Sequence, residues 1–97
     1  LVSPMKHEFT TRAGIVEQIY NFKQEILHDE ALVREAELRA DELRTKIENI
    51  REGREVGDVA ELSTQASYAD NVSTEIRARI SASERGLANL MRIRGGQ

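Results

Sequence analysis

The chain contains no cysteine, no tryptophan and a single proline, and each scarcity excludes a structural or chemical possibility. Without cysteine there can be no disulfide, thiolate metal site or cysteine nucleophile, which is consistent with a reducing compartment. The proline, Pro4, precedes the periodic part of the sequence, so no later residue forces a helix to break. The longest apolar runs hold two or three residues, whereas a helix that spans a bilayer needs about 20. No apolar signal-peptide stretch follows the N-terminus either, and we therefore expect a soluble intracellular protein with no membrane partner.

Charged side chains are abundant, but neither sign dominates. The 17 acidic and 14 basic residues give a formal net charge of −3 at pH 7, and both signs are interspersed along the chain. Such a surface offers no basic stripe for a phosphate backbone, so nucleic acid is not an expected partner. The 97 residues are enough for one small domain with a narrow core and a large solvated face.

The dominant pattern is a 4-3 spacing of inward-facing positions, which we call the seam. In the first half of the chain the seam positions are Ile15, Ile19, Phe22, Ile26, Asp29, Val33, Ala36, Ala40, Leu43, Ile47 and Ile50. In the second half they are Val59, Leu62, Ala66, Ala69, Ser73, Ile76, Ile80, Ser83, Leu87 and Leu90. A spacing that averages 3.5 residues keeps one stripe of a helix facing a neighbouring helix over many turns. The seam predicts an all-α fold, a long antiparallel helical hairpin with coiled-coil packing.

A short segment with the residues of a turn joins the two halves. Gly53 can adopt the left-handed conformation that ends a helix, and Asp58 is a good N-cap for the next helix. Thr10 or Thr11 can cap the first helix in the same way. We therefore predict one domain over residues 1–97, made of a flexible arm at 1–10, a helix at 11–52, a turn at 53–57 and a helix at 58–94.

Folding the chain at about Val56 sets a predicted register between the two helices. In this register Phe22 faces Leu87, while Ala40 faces Ala69 near the middle, where small side chains allow the helices to approach closely. On the outer face of the first helix, acidic and basic residues at i, i+4 spacing are expected to attract one another. These pairs are Glu30 with Arg34, Glu35 with Arg39, and Glu42 with Lys46.

Asp29 interrupts the apolar seam. The register places it opposite Ile80, with Arg77 and Arg79 nearby on the other helix. A buried charge must find a partner or the site must be hydrated. We interpret Asp29 as a register-setting or partly solvated position rather than as a ligand-binding carboxylate.

The sequence offers no group of residues with the spacing of a reactive site. His7 and His28 have no second metal ligand at a suitable distance along the chain, and no serine has a base in fixed relation to it. No glycine-rich phosphate loop is present. A two-helix hairpin is also not expected to hold a cavity of the ~300 Å³ that small-molecule sites need. We therefore predict a protein that is not an enzyme and has no catalytic residue, cofactor or metal.

A second, sparser line of apolar residues lies beside the seam and would be exposed in a plain two-helix hairpin. Its members are Val16, Tyr20, Leu27, Ala31 and Leu38 on the first helix, with Val72, Met91 and Ile93 on the second. Such a patch is typical of an interface, and a third helix, another copy of the chain or a client protein could cover it. We expect a monomer or a weak homodimer, with partner-binding residues on the outer face of the first helix at Tyr20, Leu27, Arg34, Leu38 and Asp41.

Two segments of the chain resemble the tubulin-binding cofactor A family. Residues 11–19 read TRAGIVEQI and are similar to the opening of that family, and residues 58–91 are similar to its second helix without gaps. The chain departs from the family pattern at Glu17 and Gln18, where relatives favour basic residues. The family also continues into a third, shorter helix, whereas this chain ends at Gly95, Gly96 and Gln97.

The resemblance implies a fold and a function. The hairpin would be the core of a three-helix bundle whose third helix is absent from this chain. The protein would be a cytoplasmic, cytoskeleton-associated chaperone that binds and stabilises β-tubulin folding intermediates after their release from the chaperonin, on the way to the αβ-tubulin heterodimer. The residue pattern by itself also allows a structural coiled-coil hairpin or dimerisation module, or a small helical secretion-type chaperone.

Overall fold

The computed structural model describes residues 12–96, which form two α-helices and no strand. Helix α1 covers Arg12–Arg51 and helix α2 covers Val59–Gly95. The all-α fold predicted from the seam is therefore confirmed. The predicted arm at 1–10, His7, and the caps at Thr10 and Thr11 lie outside the described residues.

The chain divides into two compact units. The described part of the first unit consists of residues 12–29 of α1 and 79–96 of α2, and the second unit consists of residues 30–78. In the first unit the two helix segments run antiparallel, because Phe22 lies against Gly86 while Asp29 binds Arg79. In the second unit the turn joins the two segments directly into a hairpin.

Burial follows the predicted seam in both units. In the first unit the buried residues of the described chain are Ile15, Ile19, Asp29 and Ser83. In the second unit they are Val33, Ala40, Leu43, Ile47, Ala66, Ala69, Ser73 and Ile76. Every one of them is a seam position, and the other seam positions are half-buried. The periodicity of the sequence therefore identifies which stripe of each helix is buried.

The turn in the second unit has the hydrogen bonds of a Schellman motif. Gly53 has a φ of 79°, the N–H of Gly53 donates to the carbonyl of Ile50 (3.1 Å), and the N–H of Arg54 donates to the carbonyl of Asn49 (2.8 Å). At the start of α2, the Asp58 Oδ1 accepts a hydrogen bond from the N–H of Glu61 (3.2 Å). Gly53 and Asp58 thus end one helix and begin the next, as their residue types predict.

One close contact in the first unit has no counterpart in the predicted register. A Cβ atom at Gly86 would lie 2.8 Å from the Cζ of Phe22, so the tip of the ring rests directly on the backbone of α2. In the predicted register Leu87, one residue further along, faces Phe22. A glycine inside a helical pattern often marks such an approach, and this signal could have identified the contact.

The ion pairs of the second unit differ from those expected along α1. Arg44 binds Asp70 and Arg77 binds Glu37, so both pairs join α1 to α2. None of the three predicted i, i+4 pairs is among the ion pairs of residues 12–96. An exposed pair on one helix gains only about 0.2–0.5 kcal/mol, which hydration and side-chain entropy offset.

Candidate functional site

The predicted partner-binding residues are all exposed. In the first unit the exposed fractions are 61% for Tyr20 and 59% for Leu27. In the second unit Leu38 is 60% exposed, and Arg34 and Asp41 are also exposed. Helix α1 places Arg34 and Asp41 four residues before and three residues after Leu38, so these three are neighbours on one helix surface. Tyr20 and Leu27 are two helical turns apart in their own unit.

The remaining members of the second apolar line divide into two groups. Val16, Met91 and Ile93 are exposed, as expected. Ala31 and Val72 are half-buried, which corrects the expectation that a two-helix hairpin would expose them. Val72 is one of the residues that line a groove, described next.

An apolar groove lies beside the seam of the second unit and was not anticipated from the sequence. Its volume is about 560 Å³, and it is lined by Ala36, Arg39, Thr64, Gln65, Tyr68, Ala69 and Val72. Tyr68 is the most exposed aromatic residue of the described chain, at 71%. An aromatic residue off the seam and next to Ala69 was the available sequence signal for this groove.

A second groove of the same unit has a different character. It measures about 520 Å³ and is lined by Arg44, Ile47, Glu48, Arg51, Ser63, Ala66 and Ser67. A two-helix hairpin was expected to hold no space of the ~300 Å³ that small-molecule sites need. Both grooves are larger than this. The expectation was wrong because small side chains, alanine on the seam and serine or threonine beside it, leave space between neighbouring helix surfaces. Both spaces are surface grooves, and three of the seven residues that line the second one are charged.

The buried charge in the first unit is fully paired. The Arg79 Nη2 donates to Asp29 Oδ1 (2.7 Å) and the Arg79 Nε donates to Asp29 Oδ2 (3.0 Å). The Asp29 side chain is 6% exposed and that of Arg79 is 58% exposed. The hydrogen bond from Arg79 lowers the pKa of Asp29 although burial acts in the opposite direction, and the same bond raises the pKa of Arg79. The carboxylate is therefore held as an anion by a protein partner.

Two features of the described residues bear on metals and membranes. Residues 12–96 contain no group of three or more His, Asp or Glu side chains arranged to hold a metal ion. His28, the histidine in this range, is exposed on α1. Within the same range, neither helix has the length of apolar sequence required to span a membrane.

Comparisons with protein-family models, with curated proteins and with solved structures found no match to this chain.

Proposed function

We propose that this chain is a non-catalytic protein-binding module that holds a client reversibly. The observation that carries the proposal is the exposure of Tyr20, Leu27 and Leu38 while the seam positions are buried or half-buried. The seam residues pack within the hairpin, whereas these three large side chains are exposed and can contact a partner. A few exposed apolar side chains among charged neighbours suit an interface that must also release its partner.

The resemblance of residues 11–19 and 58–91 to tubulin-binding cofactor A supports β-tubulin as the client. In this proposal the chain binds a β-tubulin folding intermediate after the chaperonin has released it and keeps it competent for assembly with α-tubulin. The protein would then act in the cytoplasm, in association with the cytoskeleton. It would need no nucleotide, metal or other cofactor of its own.

The test is retention of β-tubulin on the immobilised full chain. Labelled β-tubulin released from the chaperonin and native αβ-tubulin are applied separately, and the bound fraction is measured. We expect the released β-tubulin to be retained, and Leu27→Ser and Leu38→Ser each to reduce retention by about fivefold or more, as for central apolar contacts. No retention of either form by the wild-type chain would overturn the assignment of this client.

Val56→Ser provides the matched control. Val56 is 99% exposed in the turn and lies outside the predicted surface, so the same loss of apolar side chain there should leave retention unchanged. Circular dichroism establishes that each variant retains its helices. A uniform loss of retention in all three variants would contradict a specific surface on α1.

A structural coiled-coil or dimerisation role is the second candidate, because the burial pattern is that of a helical seam and leaves the same apolar side chains free to pack on another copy. Sedimentation across a range of protein concentration distinguishes this role from a client-binding one. A stable homodimer that dissociates in Leu27→Ser or Leu38→Ser would favour it.

A further inference from the structure

The groove beside Tyr68 combines an apolar surface with an acidic rim. Among the residues that line it, all within the described chain, Arg39 alone is charged. Glu61 and Glu75 lie seven residues before and seven residues after Tyr68, which places them two turns away on the same face of α2. Both glutamates are exposed and neither is in an ion pair recorded for residues 12–96.

Glutamates also lie beside the groove on its other side, which is formed by α1. Glu35 lies four residues before Arg39 and Glu42 lies three residues after it, so all three share one helix surface. Both of these glutamates are exposed, and neither belongs to an ion pair of the described residues. By the same count Lys46, which is exposed and lies seven residues after Arg39, is also on this face. Four carboxylates and two cations, Arg39 and Lys46, therefore share the two helix faces beside the groove.

The second unit as a whole is also negatively charged. Residues 30–78 hold seven basic and twelve acidic side chains, a formal net charge of −5. The described part of the first unit holds six basic and four acidic side chains, a net charge of +2. The net charge of the whole chain is small because the two units carry charges of opposite sign. The apolar groove lies in the acidic unit.

We propose that this groove binds a basic amphipathic helix of a partner protein. A helix can lie in the groove between two others, and the small Ala36 and Ala69 side chains allow its apolar stripe to approach closely. Lysine or arginine on the flanks of that stripe would meet the glutamates on both borders. Two grooves of this chain facing each other would bring together two units of charge −5, which disfavours a second copy as the occupant. The proposal does not depend on β-tubulin being the client.

The test uses a defined probe. It is a synthetic, fluorescently labelled helix of roughly 18 residues, with a leucine stripe at i, i+3, i+4, i+7 spacing and lysine on its flanks. Fluorescence anisotropy with the full chain gives its Kd. We expect the double variant Glu61→Lys/Glu75→Lys to weaken binding by about tenfold or more at low salt, and Tyr68→Ala to weaken it by about fivefold. Added salt should weaken binding to the wild type more than to the double variant.

Two controls separate groove binding from general attraction to an acidic surface. Glu48→Lys/Glu55→Lys makes the same charge change in the same unit but away from the groove, and we expect it to reduce affinity far less. A probe with glutamate in place of lysine should fail to bind. Equal effects of the two double variants, or an unchanged Kd in Tyr68→Ala, would overturn the proposal. Self-association that is lost in Tyr68→Ala would also overturn it, in favour of a second copy.

Discussion

Arg79 binds the buried carboxylate of Asp29 with two hydrogen bonds, of 2.7 and 3.0 Å. The two partners differ in exposure, because Asp29 is a seam residue while more than half of the Arg79 side chain is in solvent. Loss of the arginine would leave an anion buried without a partner, whereas loss of the aspartate would leave a cation that water can hydrate. Loss of Arg79 should therefore destabilise the fold more than loss of Asp29.

The first prediction follows from this asymmetry. Arg79→Met should lower the melting temperature by roughly 5–10 °C at neutral pH, while Asp29→Leu should leave it unchanged or raise it, because leucine extends the apolar seam. Arg85→Met is the control, since Arg85 is exposed in the same unit and makes no ion pair among the described residues. Thermal unfolding followed by circular dichroism measures all three. A greater loss in Asp29→Leu than in Arg79→Met would contradict the proposed asymmetry.

The second prediction concerns pH. The pKa of Asp29 is lowered in the folded chain, chiefly by the hydrogen bond from Arg79, so its unfolded pKa of about 3.9 lies above the folded one. A lowered folded pKa gives stability that is present above the unfolded pKa and is lost as the pH falls through the folded pKa. The free energy of unfolding of the wild type should therefore exceed that of Asp29→Asn at neutral pH.

Urea unfolding at several pH values between about 6 and 3 checks this difference. The difference in the free energy of unfolding between wild type and Asp29→Asn should be constant above about pH 5 and shrink steadily below about pH 4. Gln24→Asn, at an exposed position of the first unit, changes no titratable group and should show no such dependence. If the difference between wild type and Asp29→Asn grows as the solution is acidified, the role assigned to the carboxylate is wrong.

The third prediction tests the contact between Phe22 and Gly86. Gly86→Ala should destabilise the wild type by about 1 kcal/mol, because the clash of the new methyl group with the ring outweighs the higher helix propensity of alanine. In a Phe22→Leu background the same change should stabilise by up to about 1 kcal/mol, since the ring is gone and only the propensity remains. Chemical denaturation of the four proteins gives the coupling between the two sites. Additive effects would show that the ring does not rest on Gly86.

The fourth prediction separates backbone conformation from packing in the turn. A Cβ at Gly53 would meet no atom within 4 Å, but its φ of 79° disfavours any residue with a side chain. Gly53→Ala should therefore cost about 1–2 kcal/mol of stability. Gly95 has equally open surroundings and lies within α2, so Gly95→Ala should have little effect or stabilise slightly. Equal effects at both glycines would argue against the left-handed turn.

The fifth prediction concerns the close approach of the helices in the second unit. Ala40 and Ala69 are 2% and 6% exposed, and Ala40→Leu or Ala69→Leu should each destabilise by roughly 1–3 kcal/mol through overpacking. Ala60→Leu, at an exposed position of α2, is the control and should change stability little. An unchanged melting temperature in both core variants would mean that the predicted register is wrong.

Much of the fold follows from local features of the sequence. The 4-3 spacing identifies the buried stripe, since the helical repeat alone decides which side chains share a face. Gly53 and Asp58 define the turn because each is suited to a backbone conformation or a capping bond that its own segment requires. The exposure of Tyr20, Leu27 and Leu38 follows from the same periodicity, because these residues lie off the seam.

Other features depend on the lateral position of one helix against the other. The sequence placed both Arg77 and Arg79 near Asp29, yet the structure pairs Arg79 with Asp29 and Arg77 with Glu37. The groove beside Tyr68 was not foreseen either, since its volume depends on how far apart two helix surfaces lie. The periodicity of one helix contains no information about rotation against its neighbour or about side-chain reach. The sequence by itself therefore determined the helices, their buried stripe and the turn, whereas only tertiary packing decided the ion pairs, the contact of Phe22 with Gly86 and the grooves.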